Sequence, residues 1–191
     1  MKEEKMTLIY IHGFLSNSDK KVEDLSHMFP NARVLGFNYT CETFHEDLGR
    51  MRLDLTDAIE RDPETILIGT SLGSLIANYL SQTIPVKTIL INPVPNIKDI
   101  LYRLVGTAQK NYATSKDEIV TNEFFQLVTS IRYEKSRNAT ATIIGRYDDV
   151  IGDVDEVAKQ FQNVTFIESG HRVNMLDHKD LLNKIINTIN I

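Results

Sequence analysis

Residues 65–80 read TILIGTSLGSLIANYL, and this stretch decides the fold. Thr65-Ile66-Leu67-Ile68 is a continuous, β-rich apolar run rather than an alternating one, as expected for a strand buried on both faces of a parallel sheet. From Leu72 onward, Leu72, Leu75, Ile76, Tyr79 and Leu80 fall at three- and four-residue steps, the period of a helix. Between the two stands Gly69-Thr70-Ser71-Leu72-Gly73. A Gly-x-Ser-x-Gly string arises by chance in roughly one chain in twenty of this length, so the string alone says little. Its setting says more: a strand–turn–helix lifts the serine out of the sheet on a strained turn. Small residues on either side let the two backbones approach. The helix N-terminus aims its amides at negative charge, such as develops during acyl transfer. The plainer alternative is a serine that only caps the helix.

The same alternation extends outward. Further β-rich runs occur at Leu8–His12, Arg33–Asn38, Thr88–Asn92, Thr140–Gly145 and Val164–Glu168. Between them, helical stripes run through Phe44, Leu48, Met51, Leu55 and Ile59, through Val154, Val157, Ala158 and Phe161, and through Leu181, Leu182, Ile185, Ile186 and Ile189. Thr43 and Glu46 have capping-box spacing at the start of the first stripe, and Asp153 opens the second. The pattern predicts an α/β fold: a six-stranded, mostly parallel sheet flanked by helices. Successive strand starts lie 25, 32, 23, 52 and 24 residues apart. The long interval exceeds a single crossover by about a helical hairpin. Its excess carries two more stripes, Ile97, Ile100, Leu101, Leu104 and Val120, Phe124, Leu127, Val128, Ile131. We read one domain over residues 1–191 with a small helical cap inserted at about 94–138; the alternative is a longer crossover lying flat on the sheet.

Composition narrows the function. The 191 residues carry 21 Lys plus Arg against 26 Asp plus Glu, a formal net charge of −5, with no basic cluster, so no nucleic-acid partner is expected. Apolar runs fall far short of the ~20 residues of a membrane span. The N-terminal MKEEKMTLIYIHGFL lacks the pattern of a secretion signal, and the single Cys41 forms no internal disulfide, so a cytoplasmic location is expected.

A serine nucleophile needs a base, and the base an orienting acid. Among His12, His27, His45, His171 and His178, only His171 follows the last strand on a loop that shares an edge with Ser71. His12 precedes Gly13 in a turn of different use, His27 and His45 fall on helices, and His178 sits in the helix-opening LDHKD. His171 and His178 as metal ligands lack a third partner, so no metal or other cofactor is expected. The fifth strand ends in Gly145-Arg146-Tyr147-Asp148-Asp149, where either carboxylate is within reach of His171. In the first strand, IYIHGF turns at Gly13 and brings the Phe14 amide beside the serine; with the Leu72 amide it forms a candidate oxyanion hole.

IYIHGF, GTSLGS, GRYDDVI and SGHRV together resemble the α/β-hydrolase superfamily, over essentially the whole chain. The short chain starting at the HG strand is similar to small bacterial serine esterases of the YqiA/YcfP type. The superfamily pattern G-x-x-D-x-V selects Asp148 over Asp149. It makes Ser71 the nucleophile and His171 the base, with Phe14 and Leu72 supplying the oxyanion amides. Two departures stand out: no room precedes the HG strand for the two usual antiparallel strands, and the insertion is longer than the small esterases need. The expected activity is hydrolysis of a small carboxylic ester or thioester through an acyl-enzyme. Phe124 and Phe125 are candidate acyl-pocket residues, or else core residues packed on the sheet. The alternative from another class is a non-catalytic binding protein on the same scaffold.

Overall fold

In the computed structural model, which describes residues 6–135, 138 and 140–189, each of the six apolar runs is a strand. In chain order the elements are β1 (Met6–Ile11), α1 (Asp19–Met28), β2 (Ala32–Phe37), α2 (Phe44–Arg61), β3 (Ile66–Thr70), α3 (Leu72–Ser81) and β4 (Lys87–Ile91). There follow α4 (Ile97–Tyr102), β5 (Ala108–Lys110), β6 (Asp117–Ile119), α5 (Asn122–Ser130), β7 (Thr140–Gly145), α6 (Val154–Ala158), β8 (Val164–Ile167), a 3-10 turn at Met175–His178 and α7 (Lys179–Ile189). Of the single domain read over residues 1–191, residues 1–5, 136, 137, 139, 190 and 191 lie outside the described residues, and 136 and 137 fall within the insertion read at about 94–138.

The main sheet has the order β2-β1-β3-β4-β7-β8, and all five of its ladders are parallel. Interior strands β3, β4 and β7 are buried almost throughout, which is why their sequences do not alternate. One face sets Ile9, Ile11, Leu67, Leu90 and Ile144 against α2, α3, α5 and α6. The other sets Leu8, Tyr10, Ile66, Ile68, Ile89 and Ile143 against α1 and α7. The chain runs outward one way from β1 to β2 and the other way from β3 to β8. The loops after β1 and β3 therefore diverge, opening a crevice at the carboxyl ends of the strands.

Three local features differ from the sequence reading. Helix α1 has no stripe of its own in that reading, because it buries only Asp24, Leu25 and Met28. The capping box at α2 does not form. Thr43 Oγ1 donates to Asp47 Oδ2 at 2.6 Å, and that carboxylate also accepts Thr40 N–H at 3.1 Å, so Asp47 rather than Glu46 closes the first turn. Between α4 and α5 the chain forms an antiparallel hairpin, β5–β6, that helical periodicity does not disclose. Asp153 does cap α6, its Oδ1 accepting the amides of Asp155 and Glu156.

Candidate active site

Ser71 occupies the single residue between β3 and α3, with φ 55° and ψ −121°. A side chain in that region is strained, and such strain concentrates where surrounding structure enforces it. The enforcement here is close backbone packing. A Cβ on Gly69 would stand 2.2 Å from Gly73 O, and one on Gly73 would stand 2.3 Å from Ile11 O. Ser74 ties the turn to both neighbouring strands: its hydroxyl lies 2.8 Å from Gly69 O and 2.9 Å from Ile91 O, and it accepts Ile91 N–H at 3.2 Å. Ser71 sits at the helix N-cap, yet its side chain makes no capping bond. Its Oγ lies 3.0 Å from His171 Nε2 instead.

His171 comes from the loop after β8, and Nδ1 of its ring is 2.8 Å from Asp148 Oδ2. The Asp148 side chain is fully buried, while that of His171 keeps 18% exposure. The other carboxylate oxygen of Asp148 accepts the amides of Val150 (2.9 Å) and Ile151 (3.2 Å), which fixes its plane. Asp149, the neighbouring alternative, is exposed. Nδ1 facing a carboxylate carries the ring proton, leaving Nε2 free to accept from Ser71 Oγ–H. Ser71, His171 and Asp148 thus form one hydrogen-bonded row drawn from three strand ends.

A residue that the sequence reading did not single out joins those ends. Asn92 is fully buried just beyond β4, with φ 45°. Its Nδ2 donates to Gly170 O (3.0 Å) and His171 O (2.8 Å), and its Oδ1 accepts Gly145 N–H (2.7 Å). One amide side chain therefore holds the backbone of the histidine loop and the root of the Asp148 loop together. The available signal was a polar residue closing an apolar strand in TILIN (Thr88–Asn92).

The turn after β1 meets the serine directly. A Cβ on Gly13 would stand 3.2 Å from Ser71 Cβ and 3.7 Å from its Oγ. His12 orients this turn: Nδ1–H donates to Gly13 O (2.7 Å) and Nε2 accepts Tyr39 N–H (3.2 Å). The ring stacks on Tyr39 at 4.2 Å, and Tyr39 Oη–H donates to His12 O at 3.2 Å. Because the peptide is planar and trans, holding Gly13 C=O aims the Phe14 N–H the opposite way. No other described residue takes the amide of Phe14 or of Leu72 as a donor. Burial pushes the His12 imidazole below its ordinary range, in keeping with its neutral tautomer.

Phe124 is buried, stacking on Phe14 (5.9 Å) and meeting Phe44 edge-on (5.1 Å), while Phe125 is buried beside Tyr102. His27 and His45 are exposed on α1 and α2, and His178 is half-buried. A cavity of about 400 Å³ bounded by Asn38, Tyr39, Asn111 and Glu118 is separate from the row of Ser71, His171 and Asp148. Among the described residues no three His, Cys, Asp or Glu side chains cluster as a metal site, and no helix is long and apolar enough to cross a membrane.

A six-stranded parallel sheet with Ser71 on a strained turn after its third strand is the α/β-hydrolase fold. Solved structures share it: a protein from Xanthomonas campestris pv. campestris assigned to the alpha/beta hydrolase superfamily (TM-score 0.54, 17% identity, 96% of each chain covered), Est1E from Butyrivibrio proteoclasticus (0.66, 15%, 97% of this chain and 90% of that one), and the esterase domain of a Rhodothermus marinus protein (0.68, 16%, 98% and 87%). The chain belongs to the uncharacterised protein family UPF0227, whose model matches residues 7–189. No protein of curated function matches it in sequence.

Proposed function

We propose that the protein is a serine hydrolase of small carboxylic esters or thioesters, acting through an acyl-enzyme. The observation that carries this reading is the row from Ser71 Oγ through His171 to a fully buried Asp148, built on a strained turn beside the Phe14 and Leu72 amides, which no other described residue engages. His171 Nε2 takes the Ser71 proton as Oγ bonds to the acyl carbon. The amides of Phe14 and Leu72 bind the oxyanion, and charge-directed donors of this kind are typically worth ~3 kcal/mol each in the transition state. His171 then returns the proton to the leaving oxygen or sulfur. Water, deprotonated by His171, attacks the acyl-enzyme and releases the acid with Ser71 restored. Asp148 holds the ring in the tautomer these steps need. The acyl group lies against Phe14, with Phe124 stacked behind that ring, while Phe125 packs toward Tyr102. A cytoplasmic location suits a chain whose one cysteine, Cys41, is buried and unpaired.

The test is steady-state hydrolysis of 4-nitrophenyl acetate and butyrate. The reading predicts turnover by the wild type and a loss of at least about a thousandfold in kcat for Ser71→Ala. Equal rates for the two proteins would overturn it.

A further inference from the structure

We infer that Arg172 is a substrate-binding residue that selects an anionic leaving group, a carboxylate- or phosphate-bearing alcohol or thiol. The inference rests on the reading of Ser71 as an acyl-transfer nucleophile. Geometry sets where the leaving group goes. The oxyanion lies toward the Phe14 and Leu72 amides, and the atom that departs must take its proton from His171 Nε2. The leaving group therefore exits on the side of the histidine loop.

Arg172 is the next residue on that loop and is exposed. Its backbone is held on both sides: Asn92 Nδ2 donates to His171 O at 2.8 Å, and Lys21 Nζ donates to Val173 O at 2.9 Å. Its guanidinium lies over the ring of Tyr112, 5.0 Å from the centroid. Tyr112 stands at the tip of the β5–β6 hairpin, and its amide donates to Leu15 O, one residue beyond Phe14. The pair thus joins the histidine loop to the chain just beyond the turn that abuts Ser71. A guanidinium stacked on an aromatic ring keeps its in-plane N–H donors free for a carboxylate or phosphate. No carboxylate among the described residues pairs with Arg172, whereas Arg146, beside Asp148, faces Glu168 at 3.8 Å. Tyr112 is 71% exposed, a large aromatic surface open beside that cation.

The probes are 4-acetoxybenzoate and its methyl ester, which share the acyl group and ring and differ in the distal charge of the leaving phenol. Hydrolysis is followed for the wild type, Arg172→Gln and Arg172→Lys at low and high salt. A hydrogen bond to a charged group changes a rate ratio by on the order of tenfold. Arg172→Gln is therefore expected to lower kcat/KM for the anionic ester about tenfold relative to the neutral one, mainly through KM. Arg172→Lys recovers part of the loss, and the wild-type preference shrinks as salt screens it. A ratio that Arg172→Gln leaves within twofold of wild type overturns the inference while leaving the hydrolase reading intact. Failure of both esters with Ser71 still labelled by a fluorophosphonate also overturns it. Absence of that label overturns the hydrolase reading and this inference with it.

Discussion

His12 holds Gly13 O with one ring nitrogen and Tyr39 N–H with the other, so only the neutral ring satisfies both. Buried as it is, its folded-state pKa lies below the unfolded value of about 6.5. Above that value both states are neutral and the contacts contribute in full. As pH falls below it, the unfolded chain gains the proton first and folding loses free energy. The expected outcome is that wild type exceeds His12→Asn in stability at pH 7.5, and that the gap narrows by pH 5.5, read by urea denaturation. A gap that is constant with pH would contradict the assignment. Residues of this kind are the hardest to find in a sequence. Ser71, Asp148 and His171 are marked by chemical type and by their places after strands. His12 and Asn92 carry no such mark, because each acts through backbone groups that lie far apart in the chain.

At the level of elements, the hairpin between β5 and β6 is fastened by a buried carboxylate. Glu118 accepts Asn111 Nδ2–H at 2.6 Å and Cys41 N–H at 3.1 Å, and Asn111 Nδ2 also reaches Ser16 O at 3.1 Å. Glu42 from the loop after β2 accepts Ile119 N–H at 2.6 Å. These polar ties, with Tyr112 N–H on Leu15 O, attach the hairpin to the turns after β1 and β2. Glu118→Ala leaves two buried donors unpaired and is expected to cost about 2–3 kcal/mol. It should also speed hydrogen exchange at the Tyr112 amide more than at the β3 amides. Unchanged stability with unchanged Tyr112 exchange would show that the fastening is unimportant. The hairpin escaped the sequence reading for a physical reason: its strands have three residues each, and their registry depends on contacts far away in the chain. Helix α1 escaped because so little of it is apolar. The long helices and the buried strands were readable because their hydrophobic periods are long and regular.

Across the whole molecule, strand order converts sequence spacing into a site. Ser71 follows β3, Asp148 follows β7 and His171 follows β8, with Gly13 after β1; parallel strands deliver all four to one edge. The order of residues along the chain therefore marks Ser71 and His171, but it leaves Asp148 and Asp149 equal, and only the resemblance to the superfamily pattern separates them. The distances, 3.0 Å and 2.8 Å, and the burial of Asp148 could come only from the packed fold. On the proposed reading, this packing turns Ser71 into a nucleophile. The most direct measurement is covalent labelling with a fluorophosphonate, read by intact mass and peptide mapping, on the wild type, Ser71→Ala and His171→Ala. One adduct is expected, on Ser71, absent from Ser71→Ala and formed far more slowly in His171→Ala. A folded wild-type protein that takes up no label, or one that labels equally fast without His171, would contradict it.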